Sequence, residues 1–444
     1  MIRLLRSRTA RNSYLNLVGL AVPLVIGLAL VPITLHGLGI ARYGLLSLAL
    51  TVLEYSALFA LGLGPATTRY VAQAIARNDE NKSDLIVLSM LGHTVLGAVG
   101  GVIIIAAAPL LATHVFSIPE ALHGEAITVF RLIGVMVPVT LLLLSLFGAL
   151  EGASLFGLAN VLRIPISALS FIIPAVAVTR GVGLPAILLM LVILRLVICG
   201  VLAIVVSSNI PDHRWRWPRD WRGFHPLVSF GAWLSVSNAV SPTLIYADRF
   251  ILSALRGITA VGLYSAPFDA VMRLLMIPAS LTRAMFPTVS ALHGTAQHEA
   301  LRPLFRRAVG MTVLLLSTPL ALLVVFAPAL LNLWLGPQVA AAAGTATRIL
   351  AVGLLFNAAA FVPSTFLSAV GRPDISAKFH LLELAIHLPF AWWLVSRYGI
   401  VGAATAWSAR VAFDAALLFW VTHRMLKAPI VSRFDQGEVV IQIA

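Results

Sequence analysis

Long apolar segments separated by short polar turns run through almost the whole chain. Twelve of these segments reach the length of roughly 20 apolar residues that a helix needs to cross a bilayer. They lie near residues 13–35, 44–64, 85–110, 126–150, 161–179, 184–206, 226–250, 259–283, 307–331, 345–369, 379–396 and 400–424. The turns between them leave no room for a soluble domain, so the pattern predicts an all-α polytopic membrane protein. Prolines inside several segments predict kinked or discontinuous helices.

The composition agrees with this prediction. The 444 residues are 60% hydrophobic and only 11% charged, with a mean hydropathy of +0.97, whereas soluble domains are about 25% charged. The first apolar segment is longer than the ~7 to 15 apolar residues of a signal peptide, so we expect an uncleaved span. The single cysteine, Cys199, excludes an internal disulfide, and no metal-ligand spacing is present.

Basic residues alternate between the two sides of the predicted membrane. Twenty lie in the segments on one side and four on the other. The side with four basic residues, which we call the arginine-poor side, carries Arg42, Arg180, Arg256 and Arg397. The other side is called the arginine-rich side. Because basic residues accumulate in cytoplasmic loops, both termini are expected in the cytoplasm, which agrees with an even number of spans.

A basic chain could also bind nucleic acid, and residues 213–224 interleave arginine with Trp215, Trp217 and Trp221. The basic charge, however, is spread over all the predicted cytoplasmic segments instead of forming one patch. Between two spans, such a segment is better explained as an interfacial anchor, with tryptophan at headgroup depth and arginine on anionic lipid. We therefore expect membrane lipids, and not nucleic acid, as its partners.

The chain contains an internal repeat of about 218 residues. Three pairs of glycines mark it: Gly44 with Gly262, Gly152 with Gly371, and Gly181 with Gly399. The offsets predict an amino-terminal six-helix lobe over 1–212, a cytoplasmic linker over 213–225 and a carboxy-terminal six-helix lobe with its tail over 226–444. Six is an even number, so the two lobes should be related by a pseudo-twofold axis along the membrane normal.

Several stretches resemble a known family. Residues 247–252 read ADRFIL, residues 260–265 AVGLYS and residues 281–292 LTRAMFPTVSAL, while the first half carries Tyr-Gly-Leu at 43–45 and Gly-Leu-Gly at 62–64. In this order they are similar to bacterial polysaccharide flippases, the Wzx-type transporters of the multidrug/oligosaccharidyl-lipid/polysaccharide exporter superfamily. The resemblance implies twelve helices in two lobes, as in the multidrug exporters of that superfamily.

The same resemblance implies a function and partners. Members of the family move oligosaccharide units linked to undecaprenyl pyrophosphate from the cytoplasmic to the outer leaflet of the bacterial inner membrane, for O-antigen, lipopolysaccharide or exopolysaccharide synthesis. Polysaccharide polymerase or assembly proteins would be further partners. No catalytic motif comes with the resemblance, so the chain is expected to be a secondary transporter and not an enzyme.

Ionisable residues within the predicted spans are the candidate site residues. Each costs roughly 2.5 to 3.5 kcal/mol at mid-bilayer, so they should face the bundle interior or a wet cavity. The acids are Glu54, Asp248, Asp269, Glu383 and Asp414, and the bases are Arg131, Arg163, Arg195, Arg249, Arg273, Arg348 and Arg410. Arginine is in surplus, and its planar fork suits phosphate oxygens. The predicted substrate-binding residues are Arg195, Arg249, Arg273, Arg410 and Arg131.

Glu54, Asp269 and Asp414 are the candidates for coupling to H⁺ or Na⁺, and no other cofactor is expected. Glu54 has no partner in its own helix and lies opposite the Asp269–Arg273 turn at the repeat offset, which makes this pair of helices the first place to look for the site. An alternative stays open, since Asp269 with Arg273 and Asp414 with Arg410 are spaced to neutralise each other along one helix. Glu383 lies closer to the predicted cytoplasmic surface.

Two other functions are compatible with twelve spans. A cation-coupled drug or metabolite antiporter of the same superfamily would need a cavity dominated by acids, and the surplus of arginine argues against it. A membrane glycosyltransferase or polymerase acting on polyprenyl-linked sugars would need acids on its external loops. Only Glu120 and Glu125 are available there.

Overall fold

Helices make up nearly all of the part of the chain that the structure describes. The computed structural model describes residues 23–60, 62–77, 79, 82–210, 215–218, 221, 240, 243–295 and 298–427. The amino-terminal helices are α1 (Pro23–Leu38), α2 (Ile40–Tyr55), α3 (Leu63–Ala76), α4 (Lys82–Leu110), α5 (His123–Gly152), α6 (Phe156–Thr179) and α7 (Leu184–Asn209). The described ranges confirm the all-α prediction.

The remaining helices belong to the carboxy-terminal lobe. They are α8 (residues 243–256), α9 (Ile258–Met272), α10 (Met276–Gly294), α11 (His298–Leu335), α12 (Pro337–Ala369) and a long helix, Pro373–Lys427. The last one breaks at Gly399, where φ is 56° and ψ is −127°. We call its two parts α13 (residues 373–398) and α14 (residues 400–427). Most of the linker proposed for 213–225 lies outside the described residues.

Each lobe is built around its fourth span. In the amino-terminal lobe α5 packs against α3, α4 and α7, and in the other lobe α12 packs against α9, α10, α11 and the long helix Pro373–Lys427. Glycines let α4 approach α5 closely: a β-carbon on Gly97 would lie 2.5 Å from Cα of Pro138, and one on Gly101 would lie 2.4 Å from the oxygen of Gly134. The small residues of α4 therefore serve helix packing.

Contacts between loops agree with the predicted alternation of sides. Arg42 forms an ion pair with Glu125 at 2.8 Å, and the Arg256 side chain donates to the carbonyl oxygen of Ser396 at 2.5 Å. Both pairs join segments of the arginine-poor side. On the arginine-rich side, Arg216 of the linker lies 3.2 Å from Asp84, at the start of α4.

The two lobes meet along α2 and α9, and the contact repeats itself. A β-carbon on Gly44 would lie 2.2 Å from the carbonyl oxygen of Ile258, and one on Gly262 would lie 2.2 Å from the carbonyl oxygen of Ile40. Gly44 and Gly262, like Ile40 and Ile258, are 218 residues apart. The glycine pair therefore makes the reciprocal contact expected at a twofold axis.

Turns on the arginine-poor side cross from one lobe to the other. Gly39 and Gly257 break the chain before α2 and α9 with φ of 76° and 80°, values that glycine adopts without a steric cost. Ser117, in the turn before α5, bridges the second break. Its amide donates to the oxygen of Ser253 at 3.1 Å, and its own carbonyl accepts from Ile258 at 3.2 Å.

The equivalent turn of the other lobe also contacts the opposite lobe. Pro32 has no N–H, so the carbonyl of Leu28, four residues earlier in α1, lacks its helical donor. The indole of Trp334, at the end of α11, donates to that carbonyl at 2.6 Å. We call these contacts, together with the glycine pair, the seam. It joins the lobes on the arginine-poor side.

We expect that replacing Gly44 or Gly262 by alanine opens the seam. A methyl group 2.2 Å from a backbone oxygen forces the two helices apart, at a cost of about 1 to 3 kcal/mol. Spin-label distances between the ends of α2 and α9 should lengthen, and thermal stability should fall. Gly310→Ala is the control, because a β-carbon there meets nothing within 4 Å. Unchanged distances in both seam variants would contradict the packing described here.

Candidate functional site

The second span of each lobe is interrupted at an equivalent depth. Helix α2 ends at Tyr55 and passes into a 3₁₀ turn, Ser56–Ala60, while α9 ends at Met272 and passes into a 3₁₀ turn, Arg273–Leu275. At 1.5 Å per residue, both breaks lie about 22 Å from the seam end of their helices, well inside the membrane. Interrupted spans of this kind form the central sites of secondary transporters.

Arg249 of α8 ties the lobes together beside these breaks. Its guanidinium donates to the hydroxyl groups of Ser47 and Thr51 on α2, both at 3.1 Å, and forms an ion pair with Asp269 of α9. The residue is only 5% exposed. A buried guanidinium needs such partners because an unpaired charge is costly in an apolar bundle. It is therefore a structural tie as well as a candidate site residue.

The acids of this region are more open than Arg249. The Asp269 side chain is 42% exposed, and Glu54, near the end of α2, is also exposed. Both nevertheless interact electrostatically with Arg249. Both carboxylates are therefore accessible although a buried arginine lies close to them.

Arg195 of α7 lies close to Glu54 without touching it. The two charges interact electrostatically, but no hydrogen bond joins them, and one terminal nitrogen of Arg195 is buried with no hydrogen-bond partner. A guanidinium N–H left unsatisfied inside a membrane protein is a site at which an anionic group would be stabilised.

Arg273 reaches across to the amino-terminal lobe. Its guanidinium lies 4.9 Å from the ring centroid of Phe171 on α6, and a β-carbon on Gly27 of α1 would lie 3.5 Å from its Nη2. Arg273 therefore does not neutralise Asp269 along the helix. Asp269 pairs with Arg249, and Arg273 is held by an aromatic ring.

Five of the predicted site residues thus lie within electrostatic range of one another or of a shared tyrosine, and we call them the central cluster: Glu54, Arg195, Arg249, Asp269 and Arg273. Three arginines and two carboxylates give it a formal charge of +1. The hydroxyl groups of Tyr43 and Tyr246 lie within electrostatic range of it. The arrangement offers charged donors and phenols, which suit an anionic group attached to a hydroxyl-rich one.

Arg410 and Asp414 belong to a different place. Arg410 lies 3.2 Å from Glu383, on the facing helix α13, and Asp414 also interacts with Glu383. The expectation that Arg410 and Asp414 neutralise each other along α14 gives way to pairing across two helices. Their side chains are buried inside the carboxy-terminal lobe, so Arg410 does not line the central cluster.

Arg131 joins neither group. It lies on the exposed face of α5 and makes no hydrogen bond or ion pair with any residue that the structure describes. The role proposed for it from the sequence stays a prediction. In the described ranges no group of three or more histidine, cysteine, aspartate or glutamate residues could hold a metal ion.

Sequence reasoning missed several participants. Ser47 and Thr51 read as ordinary small residues of an apolar helix, although their spacing of four places both hydroxyl groups on one face. Phe171 carried no signal at all. Glu383 was among the candidate acids, but its spacing of four from His387 was not used, and this signal could have identified α13 as a polar helix.

The ion pair of Arg249 and Asp269 leads to an asymmetric prediction for stability. Asp269→Asn leaves a buried guanidinium with neutral partners only, whereas Arg249→Met leaves a carboxylate that is already open to solvent. We expect destabilisation of about 3 kcal/mol for the first and about 1 kcal/mol for the second. Thermal unfolding of the purified protein would measure both, with Arg397→Gln at the exposed end of α13 as the control. Equal losses in the two variants would contradict the burial described above.

Comparisons with known proteins agree with this architecture. The model of the family described as "Polysaccharide biosynthesis protein" matches residues 10–293, and the MatE model matches residues 234–393. A Shigella flexneri protein named "Putative O-antigen transporter" is 29% identical over 94% of this chain and 98% of its own length. The "Probable flippase AglR" of Haloferax volcanii is 22% identical over 90% of this chain and 80% of its own length.

A solved structure shows the same fold. The inward-facing conformation of a multidrug resistance MATE family transporter of the MOP superfamily superposes with a TM-score of 0.78 at 17% identity, covering 92% of this chain and 98% of the other. The sequence prediction of a two-lobed exporter fold is thereby confirmed. With a matching family model over more than half of its length, the chain belongs to the polysaccharide biosynthesis protein family and is a multi-pass membrane transporter, not an enzyme.

Proposed function

We propose that this protein flips oligosaccharide units linked to undecaprenyl pyrophosphate from the cytoplasmic to the outer leaflet of a bacterial inner membrane, for surface or exopolysaccharide synthesis. The observation that carries the proposal is the central cluster, where Arg195 keeps a buried nitrogen without a partner beside the surplus charge of Arg249 and Arg273. The relative named as an O-antigen transporter supports the same cargo class.

The position of the seam supports the direction of transport. The distribution of basic residues supports a cytoplasmic position for the arginine-rich side and for both chain termini. The seam then closes the external side, so the space at the central cluster opens toward the cytoplasm, where such lipid-linked units would be loaded. Outward release requires the seam to part while the lobes close on the cytoplasmic side.

Charge recognition follows from the chemistry of the cluster. A diphosphate offers several oxygens to the planar forks of Arg195 and Arg273, and each charged hydrogen bond contributes about 1.5 to 3 kcal/mol. The polyprenyl chain would stay in lipid between the lobes. An inside-negative potential favours outward movement of the anion by about 2.3 kcal/mol per charge per 100 mV.

Glu54 and Asp269 are the proposed coupling residues of this cavity. In the empty state Glu54 acts as the counter-charge of Arg195, and an arriving anion competes with it. Uptake of H⁺ or Na⁺ at Glu54 would remove that competition, and at Asp269 it would weaken the ion pair with Arg249. Binding of the coupling ion and of the cargo would then favour each other.

The double variant Arg195→Gln/Arg273→Gln should bind the diphosphate headgroup at least 10-fold more weakly, because two charged donors are lost. Thermal stabilisation of the purified protein by undecaprenyl pyrophosphate measures this, with undecaprenol as the uncharged probe. Arg397→Gln removes one positive charge outside the cluster and should behave as the wild type. Full diphosphate binding by the double variant would end the cavity hypothesis. Stabilisation by a lipophilic cation alone would favour the antiporter.

Glu54→Gln should have the opposite effect on binding. Without its carboxylate, Arg195 loses its competitor, so the diphosphate should bind several-fold more tightly, while flipping in proteoliposomes should lose its dependence on a proton or sodium gradient. Glu151→Gln, which alters an acid paired with Arg163 at 2.7 Å on the exposed surface, is the matched control. Weaker binding by Glu54→Gln would show that the carboxylate holds the site together and does not compete for it.

A further inference from the structure

Helix α13 carries a row of ionisable side chains into the interior of the carboxy-terminal lobe. His380, Glu383 and His387 follow at spacings of three and four and therefore share one face of the helix. Glu383 is 1% exposed and His387 is 2% exposed. Polar groups so deeply buried in a membrane helix require partners, and these partners come from two facing helices.

Helix α14 supplies the partners of His380 and Glu383, the first two side chains of the row. Arg410 Nη1 lies 3.2 Å from Glu383 Oε2, and the carboxyl groups of Glu383 and Asp414 come within hydrogen-bonding contact of each other. His380 interacts electrostatically with Arg410 and Asp414. Oε1 of Glu383 and Oδ1 of Asp414 are buried with no donor partner among the described residues.

Helices α8 and α9 surround His387, the last side chain of the row. Nε2 of His387 lies 3.5 Å from Oδ1 of Asp248, which is 1% exposed, and the hydroxyl group of Tyr264 donates to Oδ2 of Asp248 at 3.3 Å. Both ring nitrogens of His387 are buried without a hydrogen bond. The imidazole is therefore close to a carboxylate that it does not fully engage.

Charge bookkeeping shows that this row is incomplete as it stands. Three buried carboxyl groups, on Asp248, Glu383 and Asp414, belong to this row. Among the described residues one arginine, Arg410, forms an ion pair within it, while the two histidines are neutral unless they take up protons. Two negative charges would remain uncompensated in an apolar lobe, which is strongly unfavourable. Two carboxyl groups, moreover, can form a hydrogen bond with each other only when one of them carries a proton.

A proton fits this place better than a metal ion. Hard cations take six or more oxygen ligands, whereas Arg410 and the two imidazoles bring nitrogen donors and positive charge to the row. No cluster suited to a metal occurs in the described ranges.

We propose that Glu383 and Asp414 share a bound proton, forming a proton-binding site inside the carboxy-terminal lobe, separate from the central cluster. His387 and Asp248 are its second station. Because Asp248 is followed directly by Arg249, a change of protonation here acts on the helix that ties the lobes together. The binding site itself does not depend on the nature of the cargo, and only its use in coupling rests on the proposed function.

Infrared spectroscopy of the purified protein in lipid at neutral pH tests the proposal. The wild type should show a carboxylic acid C=O band that shifts in D₂O and is lost in both Glu383→Gln and Asp414→Asn. Asp374→Asn is the matched control, since that acid lies at the exposed start of α13 with its side chain 41% accessible. Exchange of K⁺ for Na⁺ at constant ionic strength should leave the band unchanged.

Three results would overturn the proposal: no acid band in the wild type, a band that survives in both variants, or a band that disappears when Na⁺ is added. Glu383→Asp keeps the acid and should retain a displaced band, so the test does not depend on whether the glutamine variant folds. Flipping assays are read separately. If both variants lose the band but still flip normally, the proton site stands and only its role in coupling is excluded.

Discussion

The guanidinium of Arg249 is the group on which the meeting of the two lobes depends. It lies in an apolar bundle where an unpaired charge would be prohibitive, and its partners come from both lobes: Ser47 and Thr51 on α2, and Asp269 on α9. Its neighbour Asp248 points the other way, toward His387 and Tyr264. Successive residues on a helix diverge by about 100°, so α8 serves the central cluster with one side and the proton site with the other.

This arrangement departs from twofold symmetry at one informative point. At the repeat offset of 218, Thr51 corresponds to Asp269 and Ser47 corresponds to Ser265. Arg249 therefore binds both Thr51 and the repeat equivalent of Thr51, which is Asp269. This places the guanidinium close to the pseudo-twofold axis. Its counterpart in the first half is Val31. The backbone of the two lobes repeats, and a single unmatched arginine supplies the charge at the place where they meet.

The sequence predicted the parts of the molecule that depend on one helix at a time. Span positions, the repeat and the choice of α2 and α9 followed from apolar periodicity and glycine spacing. The ion-pair and hydrogen-bond partners of the charged residues did not follow from the sequence, because they depend on how neighbouring helices are rotated about their axes. Asp269 and Arg273 separate because α9 ends at Met272 and Arg273 belongs to the next turn. Glu383 was predicted to lie close to the cytoplasmic surface, and this position was taken to mean exposure to solvent. In the structure it lies buried against α14.

The seam and Arg249 resist opening to different degrees. The hydrogen bonds of Ser117 lie in a turn near the membrane surface, where water can replace them, so parting them costs little. Separating Arg249 from α2 at mid-depth costs more, since no water is available unless the cavity supplies it. If the cargo is a lipid diphosphate, its oxygens can replace the hydroxyl groups of Ser47 and Thr51 on that guanidinium. Cargo would then bind the parted state better than the closed one, which is the differential affinity that a transport cycle requires.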